Sequence, residues 1–479
     1  MTVEGFKITK PIEILSEDEV SRIHSGTLEV LEETGVVFEH RKALEILEAA
    51  GCKVDFETKR VRFPSYLVED CLRKCPSSFI MKARDDKNSL RLEKETLYCT
   101  NFVAMDAVDV ETGQRRTATL PETIDAIKVL DALDNIHWIT SGPYFNIQGV
   151  APVMVIPTTT ALRIKNSSKV TCGLSGYDCD IWEIKMAKAT NQQITGIITS
   201  SPPLTWGEGV ITSALRYLEA DFPITPGSGL NFGGNGPATI AGSMVLNNAE
   251  LISMLVLAQV FKPGSSFMPA NYQQPMEMRT GIPLEGAIEK GLSGMVFAQI
   301  WRHYNIPSWI FCSSDSKVPD YQCGYEKGMS ALIQALAGPS VFFAAGSIHD
   351  ELTWSPYVAA MDNDIYGIIG RVLRGVQVTE ETLAIDLIKQ VGPIPGNYLN
   401  TAHTRKWWKQ ELFIPALADR MSHPEWIKAG SKDIVVRAQE KVQEILATHE
   451  PLPLSDDENR AIDEILQEAA SYYKERGLM

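Results

Sequence analysis

The chain has no HxH pair, no HExxH and no CxxC, so the spacings by which imidazole or thiolate pairs grip a metal are missing. Its eight cysteines are scattered; Cys71 and Cys75 stand four apart, but no histidine lies at ligand spacing, and half-buried small residues is the plainer reading. Scattered thiols in a chain of this kind are read as reduced, in the cytoplasm. There is no GxSxG nucleophile elbow. No conforming GxGxxG opens a helix either, which removes the usual dinucleotide fingerprint. Residues 1–10 lead into a polar helix rather than an apolar signal region, and the longest greasy stretch, Leu251 to Phe261, is well short of the ~20 residues of a spanning helix. A membrane is therefore not an expected partner. Basic runs are absent too: 45 Lys and Arg face 60 Asp and Glu, a net charge of −15, which argues against nucleic acid.

What is present is a repeated unit. Apolar runs beginning near Tyr98, Ile136, Val170, Ile197, Ile224, Ser266, Ser308 and Val341 each end in a polar or glycine-rich tip, and amphipathic helices follow most of them. Ile124, Ile127, Leu130 and Leu133 trace one such stripe; Met329, Leu332, Ile333 and Leu336 trace another. Eight alternating units predict a parallel (β/α)8 TIM barrel over residues 91–390, with the chemistry at the C-terminal ends of the strands. Residues 1–90 read as an α/β cap, with helices over Glu17–Glu33, Arg41–Ala50 and Tyr66–Lys74 and a short strand at Val61–Phe63. Glu111-Thr112-Gly113 reads as a turn between two extended pieces, a hairpin added to the first strand. Residues 391–479 read as a helical extension. One helix carries Val435, Ala438, Val442 and Ile445; a last one carries Ile462, Ile465, Leu466 and Ala469 and is left to pack on a neighbour. These helices are a possible homodimer surface.

The tips hold the candidate site residues. Tip seven contains Asp315 and Lys317, two apart and so on one side of an extended strand. They are an ion pair that ties the tip down, a ligand-orienting pair, or a Schiff-base lysine with its neighbour. Tip eight places His349 directly after an apolar strand, either as a satisfied structural histidine or as a donor to a ligand carboxylate. Tip five, Gly227 to Gly236 with Asn231 and Phe232, is a tight left-handed turn or a cradle of backbone N–H groups. Tip six offers Tyr272 and Gln273. Aromatics recur near the tips: Tyr98, Phe102, Tyr144, Trp206, Phe232, Tyr272 and Trp354. Each alone reads as packing, but together on one mouth they would cage a quaternary ammonium.

The run Asp315-Ser316-Lys317, Asp320, Gln322, Gly324-Tyr325-Glu326-Lys327 resembles the trimethylamine methyltransferase superfamily. So do His403-Thr404, Pro415, Leu417, Asp419-Arg420, Trp426 and Gly430, and the early Asp109, Thr112-Gly113, Arg116. Founding members of that family carry pyrrolysine, which this sequence lacks. The resemblance therefore implies the non-pyrrolysine branch, whose known members demethylate quaternary amines such as glycine betaine, proline betaine and carnitine. It implies transfer of the methyl to the Co(I) corrinoid of a separate, cognate corrinoid protein, with no cofactor held permanently and no metal. A quaternary ammonium leaves as a neutral amine, so an in-line attack needs alignment and dry walls rather than an acid, base or protein nucleophile. On this reading the aromatics hold the ammonium, while His349, the N–H groups of tip five, Asn231 or Gln273 fix the substrate carboxylate. Two other readings stay open: a lyase or aldolase forming an imine at Lys317, and a betaine-binding protein without turnover.

Overall fold

Short parallel strands and long helices alternate from Thr96 to Leu373 in the computed structural model, which describes residues 3–479. The strands are β1 (Thr96–Asn101), β2 (Trp138–Ile139), β3 (Val170–Gly173), β4 (Ile194–Thr199), β5 (Ile224–Ser228), β6 (Ala270–Asn271), β7 (Trp309–Phe311) and β8 (Val341–Ala345). Each pairs in parallel with the next, and β8 pairs back onto β1, closing the barrel. The helices are α1 (Leu120–Ala132), α2 (Pro152–Asn166), α3 (Cys179–Ala189), α4 (Glu208–Glu219), α5 (Ile240–Phe261), α6 (Ile288–His303), α7 (Tyr321–Leu336) and α8 (Pro356–Leu373). The expected (β/α)8 architecture is the observed one. Thr119 opens α1 with a reciprocal cap to Glu122, and Pro121 sits where its missing N–H has no helical partner to lose.

The interior is packed rather than hollow. Tyr98, Trp138, Val170, Cys172, Ile197, Ala270, Trp309, Phe311 and Val341 form one buried cluster drawn from seven strands. A hairpin of Phe79–Met81 and Leu90–Leu92 plugs the N-terminal end, with Met81, Leu90 and Leu92 fully buried in that cluster. Above it the Trp138 and Trp309 rings pack 4.9 Å apart, and Phe102 and Phe311 pack 4.5 Å apart. The floor of any site at the mouth is therefore aromatic.

The cap is joined to the barrel through β4's tip. Thr205–Trp206 adds a parallel strand to Val36–Phe38, extending a sheet that also holds Arg60–Arg62 and Lys53–Asp55. α5, apolar on all sides, packs against β5 and α6 of the barrel and against the cap helices. It is long and apolar enough to cross a membrane by length and composition, yet most of it is buried within the protein. The final helix, Asp456–Glu475, does not turn outward. Ile462, Ile465, Ala469 and Tyr473 pack on α2 and α3, and Trp182 Nε1 donates to the Tyr473 hydroxyl at 3.1 Å. Between α8 and Ile434 lie four short helices, Glu380–Leu383, Ile385–Val391, Ala402–Glu411 and His423–Lys428, with no buried residue in any of them.

Candidate active site at the barrel mouth

Six of the eight strand tips, two to five with seven and eight, are held by charged side chains reaching in from helices. Arg163 of α2, fully buried, donates to the carbonyls of Thr140 and Cys172 at tips two and three. Glu183 of α3 accepts the Leu174 N–H at 2.9 Å. Glu250, the one charge in α5, collects the Ser200 and Ser228 hydroxyls and the Leu204 N–H within 2.6 Å, binding tips four and five together. Glu326 of α7 accepts from Ser314 Oγ, the Asp315 N–H and Gln322 Nε2. Lys327, next to it, donates to the carbonyls of Ala344 and Ser347 and to Asp362 of α8. Carboxylates and cations buried this way are satisfied by backbone and hydroxyl groups, which gives each tip a single conformation.

Over the mouth lies a small sheet built from two tips. Ser347–Ile348 pairs antiparallel with Thr353–Trp354, which pairs in parallel with Asp106–Val108, which pairs with Arg115–Arg116. The turn joining the first two strands runs through His349, Asp350 and Glu351, all with positive φ (57°, 52° and 66°). Three successive non-glycine residues in the left-handed region are costly, and such strain gathers at functional sites. The His349 and Asp350 N–H groups donate to the Ser316 and Ser314 carbonyls, zipping tip eight onto tip seven.

Inside this frame is a cavity of about 430 Å³. Phe102, Phe145 and Tyr272 form its aromatic wall, and Val103, Leu174, Ile197 and Pro202 its aliphatic wall. Thr140, Ser141, Thr199, Ser200 and Gln274 supply neutral polar groups, and Glu351 supplies the carboxyl. Tyr272 fits because Gly227 has no side chain: a Cβ there would lie 2.0 Å from Tyr272 Cε2. The carboxyls beside the cavity are pushed toward their neutral forms. Burial, with Glu285 second, raises Glu351 well above the usual carboxylate range. Burial also pushes Glu285 up to about 7 against the pull of Lys290, 3.1 Å away. Asp350 is pushed up to about 8 by burial and by its hydrogen bond with the Asp315 carboxyl. No histidine, cysteine, lysine or arginine is among the lining residues.

The sequence-predicted residues divide sharply. Phe102 and Tyr272 line the cavity. Tyr98 does not: it sits low in the barrel, edge-on to His137, because its backbone pairs near the strand's entry. Trp206 is sealed between barrel and cap, its Nε1 donating to Ser253 Oγ, since its strand joins the outer sheet. Phe232 and Asn231 belong to the tip-five turn; Asn231 stands behind the wall, its Oδ1 accepting from Gln274 Nε2. Gln273 points away toward Met244, and its neighbour Gln274 takes the place expected of it, as alternation along an extended segment dictates. Tyr144 and Trp354 pack edge to face near the small sheet.

Asp315 and Lys317 form no salt bridge among the described residues. Asp315 Oδ1 accepts the Gly286 N–H, and the exposed Lys317 ammonium donates to the Asp315 carbonyl. His349 lies at the rim beside Lys317 and Arg115; burial, then those two cations, lowers its pKa. None of the three lines the cavity. Sequence reasoning missed Phe145, Ser141, Gln274 and Glu351, and the anchors Arg163, Glu183, Glu250 and Lys327. A charge inside an otherwise apolar helix face, as at Glu250, was the available signal.

Residues 4–471 match the family model for trimethylamine methyltransferase (MTTB). Trimethylamine methyltransferase MttB of Desulfitobacterium hafniense (strain DSM 10664 / DCB-2) is 30% identical over 488 residues, 98% of this chain and 96% of that protein. The MttB of Methanosarcina barkeri (strain Fusaro / DSM 804) is 29% identical, with 98% of each chain covered. A glycine betaine methyltransferase of Desulfitobacterium hafniense (strain Y51) is 30% identical over 91% of this chain and 93% of its own length. Among solved structures, the crystal structure of the Methanosarcina barkeri monomethylamine methyltransferase (MtmB) superposes with a TM-score of 0.50 at 13% identity, covering 95% of this chain and 92% of that one. At that identity the likeness concerns the fold.

Proposed function

The chain belongs to the trimethylamine methyltransferase family, and we propose that it moves a methyl group from a quaternary amine, with glycine betaine first, to the Co(I) corrinoid of a partner protein. One observation carries this reading: the mouth cavity has three aromatic rings, and its carboxyl is held toward the neutral acid. Ring faces attract a weakly hydrated ammonium through their quadrupoles. A neutral wall avoids stabilising the ground-state cation at the point where positive charge must leave nitrogen. Neither Lys317 nor His349 reaches the cavity, so nothing in the geometry favours imine chemistry.

The corrinoid supplies the two-electron nucleophile and is a substrate carried in by its own protein. This chain's residues do the rest. Phe102, Phe145 and Tyr272 hold the ammonium, and the aliphatic wall excludes water. Ser141 Oγ, buried with no hydrogen-bond partner, is a donor for the carboxylate end of a betaine. In a mixture of the protein, glycine betaine and chemically reduced cobalamin, the Co(I) spectrum is expected to give way to that of methyl-Co(III) as dimethylglycine accumulates. A thermal shift with betaines and no such spectral change would mean a binding protein; no change with any methylated amine would sink the proposal.

A second copy of the chain covers the arm between α8 and Ile434. Val376, Val378, Ile394 and Leu399 are 72–96% exposed, and Ile385, Ile388, Leu412 and Ile414 are more than half exposed. Counting these eight side chains at roughly 100 Å² each gives about 800 Å², one side of a standard interface. A partner that docks and departs at every turnover would leave such a face open to water between visits, whereas a permanent subunit does not. Sedimentation is expected to show an oligomer, and Ile394→Asp with Leu399→Asp to release monomers with the barrel intact. A monomeric wild-type protein would refute this.

A further inference from the structure

Methyl loss from a quaternary ammonium leaves a neutral tertiary amine beside a freshly methylated acceptor. That amine is itself a nucleophile, and its attack on the same methyl carbon is the reverse reaction. Something in the cavity has to occupy the nitrogen lone pair before the acceptor withdraws. The carboxyl of Glu351 lines the same cavity as the three rings, and the turn that presents it, from His349 to Glu351, is held in the left-handed region by its bonds to tip seven. We propose that Glu351 is the acid that protonates the departing amine, an inference that rests on the methyl-transfer reading above.

The step balances within the site. The C–N bond breaks with its electron pair kept by nitrogen, while the acceptor's own pair forms the new bond to carbon. The nitrogen pair then takes the proton from the Glu351 carboxyl, leaving a carboxylate paired with a tertiary ammonium. Glu351 regains a proton from water as the product leaves. A tertiary alkylamine is about as basic as a lysine side chain, ~10.4, so this transfer runs downhill from a carboxylic acid.

The groups around Glu351 suit that role. From the α6 side come Glu285 and Lys290, an ion pair buried at 3.1 Å. From its own turn comes Asp350, itself hydrogen-bonded to the Asp315 carboxyl of tip seven, with the Lys317 ammonium nearby. From tip six comes the Tyr272 phenol, close enough to feel the Glu351 charge. Burial, then the carboxyls of Glu285 and Asp350 against one buried lysine, keep the proton on Glu351; a quaternary ammonium has no N–H to offer its carboxylate, whereas the tertiary ammonium formed by the transfer donates one. Sequence offers no hint of this: a glutamate two residues past His349 reads as one more surface acid.

The test is the reverse reaction, methylcobalamin plus dimethylglycine, followed by the appearance of Co(I) over about pH 6 to 8 for the wild-type protein and Glu351→Gln. At saturating dimethylglycine the wild type is expected to show a nearly flat profile, because the bound ammonium holds Glu351 as its carboxylate and then passes it the proton. Glu351→Gln can use only the free base, so its rate is expected to fall about tenfold for each pH unit below the amine's pKa. Superimposable profiles for the two proteins would overturn the proposal. So would a wild-type profile that itself falls tenfold per unit, which decides the matter even if the variant does not fold. Failure of the wild type to form methylcobalamin from any quaternary amine in the forward direction is the separate result that removes the methyl-transfer reading.

Discussion

Replacing Lys327 with methionine is expected to lower the free energy of unfolding by about 3–5 kcal/mol, the cost of leaving a buried charge without its partner. Lys327 and Asp362 are both almost fully buried and 2.8 Å apart. Without the ammonium, Asp362 keeps only the Gly346 N–H on the oxygen that Lys327 had bound, and the carbonyls of Ala344 and Ser347 lose a shared donor. The effect should not stop at stability. Those carbonyls flank the base of the small sheet, and the left-handed run of His349, Asp350 and Glu351 is tolerable only while the strands on both sides are pinned. Methyl transfer is therefore expected to fall further than the folded fraction does. The double variant Lys327→Met with Asp362→Asn, which removes both charges, should recover part of the stability, since a pair removed together costs less than one partner removed alone. Chemical denaturation of the single and double variants checks this. A Lys327→Met protein as stable as the wild type would mean that the clamp is incidental.

The same residues explain what could be read in advance. Glu326 and Lys327 stand in the run that resembles the family, but the resemblance assigned them no role, and only the fold shows them turned inward to hold tips seven and eight. The eight strand–helix units were legible because periodicity reports burial, and burial is what closes a barrel. Their edges were less so: β6 begins at Ala270 rather than near Ser266, because Phe267 makes only an isolated bridge to Ile224. The site was legible as a location and not as a set of side chains. Which of two neighbours faces the mouth depends on strand register, so Gln274 and not Gln273 lines it. Trp206 could not be placed because the sheet it joins is completed by residues 36–38, far away in the chain. Glu351 needed burial and the company of Glu285, which comes from a separate tip and meets it only in the folded barrel.

Tyr272→Leu is expected to weaken binding of a quaternary amine by about 5- to 30-fold, because a desolvated ring–ammonium contact is worth roughly 1–2 kcal/mol. Leucine keeps the apolar wall and removes the ring face, so the loss should depend on charge. The discriminating ligand is 3,3-dimethylbutanoate, the shape of glycine betaine with carbon in place of nitrogen. If the rings hold the cation, the variant loses affinity for betaine and barely changes toward the carbon isostere. If they only fill space, both ligands weaken together and the cage is wrong. Phe102→Leu and Phe145→Leu should behave alike, and their combined loss should fall short of the sum because the rings share one wall. Gly227→Ala is the sharper probe: its methyl would occupy the space of the Tyr272 ring edge, 2.0 Å from Cε2, and must turn the ring out of line without touching the ligand. A Gly227→Ala protein that folds and still prefers betaine over the isostere to the wild-type degree would show that the position of Tyr272 does not matter. The reverse result would tie a backbone glycine in the barrel strand to recognition of charge at its mouth.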